Sequence, residues 1–186
     1  GAGDGGDGDE VGRLDGQHRI QVSEPTASRP ATAPPRTSRP RGGNGLSGAL
    51  FGVAVAGFVD EAVFHQLLHW HKFYDRSTTE VGLVSDGIFH AFSFFAAVAG
   101  LFLFAELRRR RDLVWPRWVG AALIGAGAFQ LYDGTIQHKL MELHQIRYGV
   151  DLLPYDVAWL VVAVALIVAG VVLLLRNRAT RGRHGA

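Results

Sequence analysis

Eight residues of this chain carry acid or imidazole side chains at spacings that suit metal chemistry: Asp60, His65, His71, Asp86, His90, Asp133, His138 and His144. Six of them belong to one motif read twice. Residues 60 to 71, Asp-Glu-Ala-Val-Phe-His-Gln-Leu-Leu-His-Trp-His, return at 133 to 144 as Asp-Gly-Thr-Ile-Gln-His-Lys-Leu-Met-Glu-Leu-His. Asp60 thereby matches Asp133, His65 matches His138 and His71 matches His144. Carboxylate and imidazole together suit Zn²⁺, Fe²⁺, Mn²⁺ or Cu²⁺ without choosing among them. With no cysteine and one methionine, the chain lacks the sulfur for disulfides, thiolate zinc sites, iron–sulfur clusters or cuprous sites.

Spacing decides which of these residues can share a ligand. Asp86 and His90 are four apart, about 40° around an α-helix, so both can face one ion and form the best local chelating pair. Asp60 to His65 and Asp133 to His138 are five apart, about 140° on a straight helix, and cannot close on one ion unless a π-bulge or bend intervenes. His65 and His69 do share a face. The expectation is therefore a site assembled across helices, with Asp86 and His90 meeting Asp60 and a neighbouring histidine, or their counterparts in the second copy. Plainer roles compete with this. Asp60 and Asp133 can serve as structural partners of His65 and His138, and His71 and His144 as solvated or capping residues. Glu61, Glu142 and Lys139 read as helix-end surface charges.

The elements that must position these residues are membrane helices. Overall 48% of the 186 residues are apolar, but the average hides a polar, Gly/Pro/Arg-rich first 45 residues. The remainder holds apolar runs of about 20 residues, long enough to cross a bilayer. Because backbone groups in lipid must be paired within the segment, the runs read as helices. Four spans are expected: Leu46 to Trp70, Val84 to Leu107, Trp118 to Met141 and Tyr155 to Leu175. Gly48 with Gly52, and Gly125 with Gly127 and Ala128, supply small faces for close helix approach. Each copy of the motif ends a helix and is followed by a loop and a returning helix that opens with Asp86 or Asp156. The fold class is thus all-α, an integral membrane four-helix bundle of two parallel two-helix repeats. Residues 1–45 read as a disordered tail, 46–176 as the transmembrane domain and 177–186 as a basic tail.

Arginines at 108–111 and 117, and again after span four, place both termini and the middle loop in the cytoplasm of a cell with this protein in its plasma (inner) membrane. The motif then opens to the extracytoplasmic side. Trp70, Trp115, Trp118 and Trp159 fall near span ends as interface anchors. The partner implied is the lipid bilayer, with a homo-oligomer or a respiratory or envelope complex left open. No aromatic residues interleave with the tail arginines, so no nucleic acid is expected.

Gly57-Phe-Val-Asp60, Phe64-His-Gln-Leu-Leu-His-Trp-His71, Asp86-Gly-Ile-Phe-His90, Asp133-Gly-Thr-Ile-Gln-His138, His144-Gln-Ile-Arg147 and Tyr155-Asp156 together resemble the bacterial predicted membrane proteins of domain of unknown function 2243. The likeness covers about residues 46–176. It implies a multi-span membrane protein with a shared polar constellation, and it carries no established activity.

The leading expectation is a transition-metal site used for binding, delivery or small redox chemistry. A b-type haem held by two of His65, His90 and His138, a proton or ion relay, and an assembly or scaffold role stand as alternatives. Catalysis is not the expected role, since no nucleophile motif surrounds Ser85 or Ser93.

Overall fold

A computed structural model describes residues 42–183. The expected tail falls outside them except at its end, where helix α1 already begins at Gly43, ahead of the expected Leu46. His18 and His184 also lie outside the described residues.

Four α-helices run through this region: α1 (Gly43–Val59), α2 (Thr79–Arg109), α3 (Trp115–Tyr132) and α4 (Leu153–Arg183). α1 and α3 each continue without interruption into a π-helical stretch, Asp60–Leu67 and Asp133–Leu140. The elements are all helical, as the apolar runs require. Thr78 caps α2 by accepting from Val81 N–H, and Pro116 opens α3, where its missing donor costs nothing.

The helices pack in the order α2, α1, α3, α4, so that α1 and α3 form the middle of the bundle. Glycines make this pairing close. A Cβ placed on Gly52 would collide with the carbonyl oxygen of Ala122, and one on Gly125 with the carbonyl oxygen of Ala49. Gly125 follows Gly52 by the interval that separates Ala122 from Ala49, so the two contacts are mirror partners across the α1–α3 seam. Three helical stretches, Gly43–Leu67, Thr79–Arg109 and Leu153–Ala179, are long and apolar enough to cross a membrane. α3 does not qualify on composition. It lies between α1 and α4 and buries Gly120, Ala121, Gly125 and Gly127, so protein covers much of what lipid would otherwise meet.

At one end of the bundle, Asn44 donates to the Asp112 carbonyl and accepts from Val114 N–H, tying the start of α1 to the α2–α3 loop and its arginines. Ser47 donates to the Gly100 carbonyl and accepts from Trp118 Nε1, and Trp159 Nε1 donates to the Gln130 carbonyl. These two tryptophans, expected as interface anchors, therefore also brace one helix against the next. The acid and imidazole residues gather at the opposite end.

Candidate metal centre

The π-helical stretches are what bring each Asp onto its own histidine. In an i→i+5 helix, residues five apart stack on one face, whereas α-helical spacing would hold them apart. Asp60 Oδ2 consequently lies 3.5 Å from His65 Nε2, and Asp133 Oδ2 lies 3.1 Å from His138 Nε2. Each stretch closes the same way, with Leu68 N–H on the Val63 carbonyl and Met141 N–H on the Ile136 carbonyl. A left-handed residue then turns the chain, His69 at φ 51 and Glu142 at φ 48. Two residues later each chain delivers its last histidine back over the site.

Those last histidines are fixed by a crossed exchange. His71 Nδ1 donates to the Ile146 carbonyl at 2.9 Å, and His144 Nδ1 donates to the Phe73 carbonyl at 3.0 Å. The interval from His71 to His144 is also that from Phe73 to Ile146, so each half orients the other's imidazole. The two rings stack with centroids 4.6 Å apart and planes 11° from parallel. His65 meets His71 edge-on at 4.5 Å, and His138 meets His144 at 4.6 Å.

The third oriented imidazole is His65. Its Nδ1 is hydrogen-bonded to Asp86 Oδ1 at 3.0 Å, which keeps the proton there, while Glu61 Oε2 lies 3.0 Å from the same nitrogen as an ion-pair neighbour without a hydrogen bond. Asp86 Oδ1 also accepts from Phe73 N–H at 2.6 Å, and Glu61 Oε1 accepts from Gln66 at 2.8 Å. His65, His71 and His144 thus each spend Nδ1 on an oxygen and leave a buried Nε2 with no hydrogen-bond partner. Asp60 Oδ1, Asp133 Oδ2 and both nitrogens of His138 are likewise buried and unpartnered. Buried polar groups are rarely left so, and here they point at one another. The carboxylates reach the last histidines too, Asp60 Oδ1 to His71 Nε2 at 4.0 Å and Asp133 Oδ1 to His144 Nε2 at 3.6 Å.

Three groups of buried donor atoms could hold a metal ion, the atoms of each lying within 4.8 Å of one another: Asp60, His65 and His71; His71, His138 and His144; and Glu61, His65 and Asp86. Burial, reinforced by the neighbouring imidazoles of His144 and His65, pushes the His71 imidazole down to about 2, which keeps it neutral and its Nε2 lone pair available. Two polar cavities reach the cluster, one of about 340 Å³ lined by His65, His71 and Asp86, the other of about 390 Å³ lined by His138 and His144.

Seven of the eight residues singled out from sequence meet here, and His90 does not. The expected Asp86–His90 chelate is absent because α2 buries a narrow stripe, Gly82, Asp86, Phe89, Ser93 and Gly100. At about 100° per residue His90 falls about 70° off the middle of that stripe. It is exposed, with its ring against Phe58 at 5.7 Å. His69, on the left-handed turn, is exposed as well. Glu61 is the residue that sequence reasoning missed. Assigned above to the surface, it is 1% exposed and holds His65. Its signal was its position beside Asp60, where the second copy has Gly134. Lys139 is exposed as expected and pairs with Asp156, the counterpart of Asp86.

No curated protein and no solved structure matches this chain. Residues 47–177 match the family described as Predicted membrane protein (DUF2243), a stretch that holds α2, α3, most of α1 and α4, and the whole cluster. The chain belongs to that family.

Proposed function

We propose that this protein binds a transition-metal ion at the Asp/His cluster, near the extracytoplasmic face of the membrane, in a binding, delivery or redox role. One observation carries the reading: three imidazoles have their Nδ1 committed to fixed oxygens and their Nε2 atoms buried without a hydrogen-bond partner, with His71 shared between a compact group with Asp60 and His65 and another with His138 and His144. That is how a protein prepares histidine for a metal, since the outer acceptor sets the tautomer and raises the basicity of the ligating nitrogen. Nitrogen and oxygen donors suit Zn²⁺, Fe²⁺, Mn²⁺ and Cu²⁺. The arginines of the α2–α3 loop, at the other end of the bundle, support this placement at the outer face.

The motif and the crossed exchange also support a two-fold repeat of helix pairs about an axis along the membrane normal. The haem reading has less behind it, because neighbouring imidazole rings touch one another and four carboxylates surround them. The test is elemental analysis of protein purified in mild detergent. Wild type and His90→Ala retain metal, while His71→Ala and His144→Ala lose most of it. Metal-free wild type from metal-supplemented cells, or equal retention in all four proteins, refutes the proposal.

A further inference from the structure

We infer that the cluster is a two-ion centre with unequal seats, one divalent cation on Asp60, His65 and His71 and a second, more weakly held, on Asp133, His138 and His144. This rests on the metal-binding reading above. Geometry supplies the first argument. Within each half the carboxylate straddles its own two imidazoles, at 3.5 and 4.0 Å in the first and 3.1 and 3.6 Å in the second. An ion with bonds of about 2.0–2.2 Å gathers donors no more than about 4.4 Å apart, so each carboxylate lies close enough to both of its imidazoles to share an ion with them. The compact donor groups containing His65 and His138 meet only at His71. A single ion serving all six ligands would have to pull both groups together.

Charge supplies the second argument. Asp60, Glu61, Asp86 and Asp133 are all buried, and among the described residues every ion-pair partner of theirs is an imidazole. Four buried carboxylates at membrane depth are costly without counter-charge. Two divalent cations balance them, whereas one leaves half the charge unmet. The two polar cavities supply a third, since one reaches the histidines of the first half and the other those of the second.

The inequality comes from what stands behind the ligands. His65 Nδ1 is hydrogen-bonded to Asp86, with the Glu61 carboxylate also 3.0 Å away. His138 Nδ1 has no partner, because Gly134 stands where the first half has Glu61, and Asp156 is drawn off to Lys139. Outer acceptors of this kind change metal affinity by about 10–100-fold, which sets the expected gap between the seats.

Metal-stripped, full-length protein in mild detergent is titrated with Co²⁺, read by its ligand-field absorption and by Co²⁺ bound per chain after desalting. The expected result is two Co²⁺ per chain in two phases about 10–100-fold apart. His138→Ala removes the weaker phase, His65→Ala the tighter, and the double variant Glu61→Gln/Asp86→Asn, which keeps every ligand, brings the phases together. One Co²⁺ per chain, lost alike in His65→Ala and His138→Ala, overturns the two-ion centre and leaves metal binding intact. Absence of any bound Co²⁺ overturns both. If an alanine variant fails to fold, the wild-type stoichiometry and the double variant decide.

Discussion

Replacing Asp86 by Asn separates the residue's charge from its shape. Asp86 Oδ1 accepts from His65 at 3.0 Å and from Phe73 N–H at 2.6 Å, and an Asn oxygen can occupy the same place. A hydrogen bond to a charged group contributes about 1.5–3 kcal/mol and a neutral one about 0.5–1.5 kcal/mol, so each bond weakens by about 1–1.5 kcal/mol. On the metal-binding reading only the His65 bond is coupled to the ion. Its weakening translates into about 10-fold lower affinity. Glu61, also 3.0 Å from that nitrogen, holds the loss to this size, and Glu61→Gln added to Asp86→Asn deepens it toward about 100-fold. The assay is competition against a chromophoric chelator, with circular dichroism confirming that the variants keep their helices. Unchanged affinity in a folded double variant would show that His65 is not a ligand oriented by these acids.

Other outcomes follow from packing and protonation. Gly52→Ala and Gly125→Ala push a methyl group into a facing carbonyl and should each cost about 1–3 kcal/mol, seen as a lower melting temperature. Gly87→Ala, whose Cβ would meet open space within α2, should instead stabilise by about 0.5–1 kcal/mol, and equal effects at all three glycines would count against the close α1–α3 seam. His71 is neutral when folded, with its imidazole held down to about 2 against an ordinary 6.5. The unfolded chain therefore binds the extra proton as pH falls through that window, so the stability from His71 is complete above about pH 6.5 and declines below it. Metal-free wild type should lose more stability between pH 7.5 and 5 than metal-free His71→Gln, and parallel losses in denaturant titrations would contradict this. His90→Ala should leave metal content and affinity unchanged.

The helices were legible because apolar length speaks directly about burial in lipid, and the duplicated motif picked out residues that the fold brings together by matching Asp60, His65 and His71 to Asp133, His138 and His144. What misled was the pitch. At α-helical spacing Asp86 and His90 look like a chelate, yet the face that α2 buries is set by its fit against α1, including Phe89 and Ser93 against Gly57. The converse holds for Asp60 and His65, which α-helical spacing separates and the π-helical stretch unites. Glu61, read as a helix-end charge, is buried beside Asp60 at the start of the same π-helical stretch. Nothing in residue type alone announces that change of pitch. The crossed bonds from His71 to Ile146 and from His144 to Phe73 were beyond reach for another reason: they depend on loop backbone, whose carbonyls carry no sequence signature.

That crossed exchange bears on how the protein is made. While the ribosome is still producing the second half, the first hairpin already carries Asp60, His65 and His71, but the carbonyl that steers His71 belongs to a loop not yet synthesised. On the proposed reading a nascent chain would therefore be a poor trap for cations, because His71 gains its steering carbonyl only once the second loop has been made and the two loops have clasped.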